Sequence, residues 1–356
     1  MNPTLRYTLA GFSALFLIGA FVATPGAVLP QWRAEFGVTS QVAWYFNLQL
    51  LGLVLGVSAA SRTARRHPLF AAAAAIFGLA YLAMAAAPAF GLVALAAAPA
   101  GFAMGVLNIH ANGLVGDLHP ERRVLMVNRA NAFFGVGAVG APLLLTLAYW
   151  RSGFVLLGLL FIVAAALAWQ APPAARRRGG GRRPRGRVVL PLLLAVGLYV
   201  AVEASLSAWS GTYLTSLGYP LELTGLLLSS YWLLLTLSRL FVAPWVAGNP
   251  LPRLVELTAG SLAVLAAIFW PPLAPLFPLA AVFFGPIFGT SFAHIQSLYG
   301  QEATGGMFYA AAVGSSLGPA AFALIKDPRR LPAGFILLGA LLLVAVYAAA
   351  RRSQSS

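Results

Sequence analysis

The sequence predicts an all-α membrane protein with twelve transmembrane helices arranged as two pseudo-symmetric six-helix bundles. Three observations predict it. Hydrophobic residues make up 60% of the 356 and charged residues only 9%, whereas a soluble domain carries roughly 25% charged residues. Apolar runs long enough to cross a hydrocarbon core, about 20 helical residues each, recur twelve times between polar, Pro and Gly punctuation. One basic stretch at 171–187, APPAARRRGGGRRPRGR, divides them into six and six.

In chain order the first six runs are Leu9–Pro30, Ser40–Ala60, Pro68–Ala87, Gly91–Val115, Val124–Trp150 and Gly153–Trp169. The second six are Val188–Leu214, Leu221–Val246, Val255–Trp270, Phe277–Leu298, Gly305–Leu324 and Ala333–Ala350. The expected domains are therefore an N-terminal bundle at 1–170, a flexible basic linker at 171–187 and a C-terminal bundle at 188–356. Because the first apolar run is followed by many others and lacks a cleavage-type exit, it reads as a retained helix rather than a removable signal.

The formal net charge of +15 does not imply nucleic acid, because the basic residues sit in short clusters between membrane-length runs. They read as loop anchors. An even helix number puts both termini on one side, and the positive-inside rule makes that side cytoplasmic, in a cell inner membrane. Arg62, Arg65, Arg66, Arg122, Arg123, the linker arginines, Arg253, Arg351 and Arg352 then face inward. The other side receives Arg33, Arg151, Lys326, Arg329 and Arg330. Without cysteine there are no disulfides or thiolate metal sites. The histidines at 67, 110, 119 and 294 lack ligand-type spacing, so no metal, cofactor or catalytic constellation is expected.

A six-plus-six layout predicts an internal repeat. Trp32 and Trp209, Arg62 and Arg239, Gly137 and Gly314, and Pro142 and Pro319 are each 177 residues apart. These pairs place helix one on helix seven, two on eight and five on eleven. The glycines and prolines of helices five and eleven read as packing and bending devices.

Polar groups are costly at the bilayer centre, so the few inside helices are the informative ones. Among the acidic residues only Glu203 lies near a helix midpoint. With Ser207 and Ser210 it follows i, i+4, i+7 spacing, with Tyr199 one turn earlier, and this stripe is expected to line a cavity. Its carboxyl is the candidate for proton coupling; the competing reading is a hydrogen bond to a neighbouring helix for structure alone.

Asn108 and Asn112 share a face of helix four, with His110 pointing elsewhere, and Asn128 and Asn131 lie on helix five. Asn47 and Gln49 on helix two and His294 and Gln296 on helix ten complete the set. Carboxamides both donate and accept, which suits a neutral polyhydroxyl ligand, although they also glue membrane helices together. Trp209 and Tyr231 are candidates for stacking on a sugar ring, whereas Trp44 and Tyr213 read as interfacial belt residues. Arg129 and Arg239 are expected to snorkel or pair with loops.

Four stretches carry a family resemblance. GVSAASRTARR, from Gly56 to Arg66, resembles the loop between helices two and three of major facilitator transporters. That implies a gating role for Arg62, Arg65 and Arg66, though the loop's usual acidic residue falls on Ala60. LNIHANGLVGDLHPERR, MVNRANAFFGVGAVGAPLL and YVAVEASLSAWSGTYL resemble the fucose permease branch, whose members are typically sugar:proton symporters. By that resemblance Asn112 and Asn131 match substrate-proximal amides. The branch's acidic residues on helices one and four fall on Gly26 and Asn108. Since Glu203 lies 177 beyond Gly26, it is expected to have taken over the missing acid's part.

The sequence thus points to a monomeric carrier in membrane lipid for a neutral sugar or sugar-like solute, working by alternating access and coupled to protons through Glu203. Efflux of a hydrophobic drug or metabolite is the competing transporter reading. A non-transporting receptor is the reading outside that class.

Overall fold

The computed structural model describes residues 2–174, 186–242, 245–246, 249–299 and 301–354. Twelve long helices account for most of them: α1 Pro3–Phe36, α2 Val42–Ser61, α3 Leu69–Ala86, α4 Phe90–Leu118, α5 Arg123–Leu147 and α6 Trp150–Ala168, then α7 Gly186–Ser216, α8 Leu221–Phe241, α9 Pro250–Ala267, α10 Ala280–Tyr299, α11 Gln301–Phe322 and α12 Leu331–Gln354. A 3₁₀ run, Pro271–Leu279, leads into α10, its prolines preventing a regular helix there.

Ten helical spans among the described residues are long and apolar enough to cross a bilayer. Neither α9 nor α11 is among them. Arg253 and Glu256 sit at the start of α9, and α11 begins with Gln301 and Glu302.

The chain forms two compact units, Met1–Arg178 and Gly179–Ser356. The expected linker at 171–187 straddles that boundary, and its residues 175–185 lie outside the described ones. In the first unit α2 packs on α4, α1 on α5 and α3 on α6; in the second, α8 packs on α10, α7 on α11 and α9 on α12. Advancing each helix of the first set by six gives the second. The repeat is therefore one of packing as well as of sequence.

Its register differs from the expected one by a helical turn. A Cβ on Gly137 would run into the Phe16 carbonyl and the Ala20 amide, while one on Gly314 would run into the Gly197 carbonyl and the Ala201 amide. The two glycines are 177 apart, but the backbones they touch are 181 apart. On this packing Glu203 corresponds to Val22 rather than to Gly26. Only glycine fits at either contact, because the obstacle is main chain.

Helix ends are closed by side chains from neighbours, since the last carbonyls of a helix lack in-helix donors. Arg6 donates to the carbonyls of Ala166, Leu167 and Trp169 at the end of α6. Arg151 does the same for Ala85 and Ala87 at the end of α3, and Tyr213 for Ile268 after α9. α1 runs beyond the expected stop at Pro30 because bilayer helices tolerate proline. It ends where Gly37 takes a left-handed φ of 63° and its N–H bonds Arg33 O.

Candidate functional site

Among the described residues, each of the two units holds a cluster of polar side chains on membrane-spanning helices. In the first unit Asn112, on α4, donates from Nδ2 to Asn108 Oδ1 at 3.1 Å and to the Asn108 carbonyl at 3.0 Å. Asn131, on α5, donates to Asn112 Oδ1 at 3.0 Å and to Val127 O at 2.9 Å. The result is a directed chain, Asn131 to Asn112 to Asn108. Asn108 and Asn131 are exposed and Asn112 partly so, so each end keeps hydrogen-bonding capacity: an acceptor on Asn131 and donors on Asn108.

The i, i+4 spacing on α4 sets the first link, and the packing of α4 on α5 supplies the second. His110 points inward, buried against Phe70. Of the other expected amides, Asn47 is exposed on α2 and Gln49 half-buried, its carbonyl pressed against Gly101. The side chains of Asn128 and Gln296 lie outside the described ones; His294 is half-buried on α10.

In the second unit Glu203 stands 12% exposed on α7, with Arg239 Nη2 of α8 3.7 Å from its Oε1. Tyr199, one turn before Glu203, is fully buried beside both charges. The Tyr231 hydroxyl donates to the Glu203 carbonyl at 3.4 Å. The expected stripe is not an open cavity lining: Ser207 and Ser210 are 3% and 1% exposed.

Trp209 and Tyr231 are likewise fully buried and offer no face for a solute to stack on. Trp209 donates its indole N–H to the carbonyl of Pro319, within four residues of the α11 end. Tyr231 stacks on Phe277 at 5.9 Å. Burial of a large aromatic is favourable with or without a ligand, and residue type alone does not separate the two.

Arg239 is the residue that sequence reasoning misplaced among loop-pairing groups. A depth count could have found it. Glu203 lies 13 residues before the end of α7 and Arg239 lies 18 after the start of α8. Helices joined by so short a turn run antiparallel, so the pair differs in depth by about 7 Å at ~1.5 Å per residue. An arginine side chain spans that.

The loop between α2 and α3 divides by role. Arg66 is buried, with Nη2 2.6 Å from Asp117 Oδ2 on α4 and Nη1 donating to the carbonyls of Pro172 and Pro173 at 3.1 Å. It fastens unit one internally. Arg62 and Arg65 are exposed. Among the described residues, no group of three or more His, Cys, Asp or Glu could hold a metal ion.

Comparison with known proteins agrees with this architecture. A point mutant of the nucleoside transporter NupG superposes with a TM-score of 0.81 at 12% identity, covering 98% of this chain and 100% of that one. A bacterial homologue of the human lysosomal transporter Spinster, inward-facing and occupied, gives a TM-score of 0.74 at 15% identity, covering 99% and 96%. At such identities the likeness concerns the fold. A search of curated sequences finds no match. Residues 11–323 match the profile of the Major Facilitator Superfamily, and with its twelve helices and six-helix repeat the chain belongs to that family of multi-pass membrane transporters.

Proposed function

We propose that this protein is a secondary active transporter for a sugar or sugar-like polyhydroxylated solute, coupled to protons through Glu203 and working by alternating access. The observation that carries the reading is the Asn131, Asn112, Asn108 chain, which leaves an acceptor at one end and donors at the other on an exposed surface. A hydroxyl both donates and accepts, so a polyol can engage both ends. An apolar drug can engage neither.

The resemblance to the fucose permease branch supports the same solute class. In this reading Asn47, Gln49, Asn128, His294 and Gln296 contribute further polar contacts, and Trp209 and Tyr231 support them from the core. Arg62 and Arg65, both exposed, take the gating part. The protein works as a monomer in a cell inner membrane with both termini cytoplasmic, as the arginine distribution implies.

Ligand-induced thermal stabilisation of the purified protein tests the reading. A ligand at a hundredfold its dissociation constant stabilises by about 2.7 kcal/mol. Sugars are expected to raise the midpoint, with nucleosides included because a structural neighbour carries them by name. Stabilisation by apolar drugs alone would transfer the assignment to efflux.

A further inference from the structure

Among the described residues, the Glu203 and Arg239 pair is unlike the other ion pairs that join segments distant in sequence. Arg66 with Asp117 and Arg151 with Glu35 are closed at 2.6 Å, the length of a charge-assisted hydrogen bond. Glu203 and Arg239 stand at 3.7 Å, beyond hydrogen-bonding distance, with Arg239 43% exposed. The guanidinium stands beside Tyr199 and Glu203 with no closed fork to the carboxylate, and its side chain is partly exposed. Glu256 and Asp327 pair with Arg253 and Arg330 instead.

A guanidinium on a membrane helix stays charged, so it needs a counter-charge. While Glu203 is ionised, Glu203 supplies it. If Glu203 is the proton-coupling group, each transport cycle protonates it and removes that charge. Some other anion must then stand beside Arg239, or the cation is left uncompensated at low dielectric. The chemically nearest substitute for one carboxylate is another.

We infer that Arg239 is the solute-binding cation of this transporter, and that its solute is a hydroxylated monocarboxylate, a sugar acid, whose carboxylate replaces that of Glu203 as Glu203 takes up a proton. The inference rests on the proposed role of Glu203 in coupling and changes the solute from neutral to monoanionic. One carboxylate and one proton enter together, so no net charge moves. No bond is made or broken apart from the transferred O–H. Among the described residues, the titratable and charged groups beside Glu203 are Tyr199 on its own helix and Tyr231 and Arg239 on α8. Neither tyrosine supplies a cation in place of Arg239.

The linkage has a definite sign. Alkaline pH keeps Glu203 ionised, and it competes with the solute for Arg239. Acid pH removes the competitor. With one proton taken up per solute, the dissociation constant rises about tenfold per pH unit above the Glu203 transition.

The test uses the full-length protein in proteoliposomes, with gluconate and galacturonate as probes and galactose as the neutral control. Binding and proton uptake are followed across pH. In the wild type the carboxylates are expected to bind with that pH slope and to drive proton uptake. Glu203→Gln is expected to bind gluconate about tenfold or more tightly at alkaline pH than the wild type does, with a flat pH profile and no proton uptake. Arg239→Gln is expected to lose gluconate binding. Should it fail to fold, the Glu203→Gln, Arg239→Gln double variant, which leaves no unpaired charge, is expected to bind gluconate at least about tenfold more weakly than Glu203→Gln alone. A Glu203→Gln protein that keeps the wild-type slope overturns the inference. So does proton uptake driven by galactose with no binding of either carboxylate, an outcome that leaves the proposed function standing. Binding of neither class overturns both.

Discussion

Arg151 Nη2 donates to Glu35 Oε1 at 2.6 Å while its Nη1 donates to the carbonyls of Ala85 and Ala87, so one side chain ties the ends of α1, α3 and α6 together. Trp150 and Tyr149 donate to the second carboxylate oxygen at 2.7 and 3.1 Å. The pair is 23% and 28% exposed, more sheltered than an ordinary surface bridge. Arg151→Ala removes hydrogen bonds to a charged group as well as the cap of α3. It is expected to cost about 2 kcal/mol of stability. Arg151→Lys keeps the charge but not the planar fork, and its thermal midpoint in detergent should fall between the two. Equal midpoints for lysine and alanine would show that the fork geometry, not the charge, accounts for the whole effect.

The three arginines of the α2–α3 loop should separate in the same assay. Arg66→Gln removes the 2.6 Å bond to Asp117 and the donor to two proline carbonyls, and losing hydrogen bonds to a charged group costs about 1.5–3 kcal/mol. Arg62→Ala and Arg65→Ala alter exposed positions and should stay within about 0.5 kcal/mol of the wild type. A transport defect in these two at unchanged stability is what a gating role requires. Similar losses of stability in all three would remove the distinction drawn between them.

Much of this architecture was legible in the sequence, because bilayer thickness sets a length and the backbone must satisfy itself within it. Helix ends were less legible. Pro30 reads as a stop in water, yet α1 continues to Phe36, where Gly37 rather than proline ends it. Asn108 and Asn112 could be placed on one face from spacing, but Asn131 joins them only through the packing of α4 on α5. Trp209 shows why aromatics resist reading: its indole donor finds Pro319 O, a partner 110 residues away. Ser207 and Ser210 shared a face with Glu203 as expected. Whether that face meets solvent or another helix depends on neighbours that spacing does not contain.

The glycine contacts give a graded prediction. At Gly137 and Gly314 an added Cβ meets backbone atoms of α1 and α7, which cannot swing aside as a side chain does. Gly137→Ala and Gly314→Ala are therefore expected to force the helices apart and to cost about 1–3 kcal/mol each. At Gly140 nothing lies within 4 Å of the added methyl, and Gly140→Ala should be neutral or stabilising by up to about 1 kcal/mol. Unfolding midpoints of the three variants decide the matter. A destabilised Gly140→Ala would mean that helix bending near Pro142, rather than contact, governs this segment.

The amide chain lends itself to a double-mutant cycle. Asn112 accepts from Asn131 and donates to Asn108, so removing it breaks both links, whereas removing Asn131 breaks one. Asn112→Ala should weaken solute binding about tenfold or more, since each hydrogen bond is worth about 1 kcal/mol. Asn131→Ala, which removes a solute-facing acceptor along with one link, should weaken binding by a similar factor, and the double variant should lose less than the two together, by about 0.5–3 kcal/mol, because the residues touch. Stability should change little, as interhelical hydrogen bonds in membranes average about 0.6 kcal/mol. Binding isotherms and unfolding midpoints on the same four proteins separate ligand contact from helix glue. If the coupling appeared in the midpoints and not in the isotherms, the chain would be a packing device, and the solute would have to be recognised elsewhere.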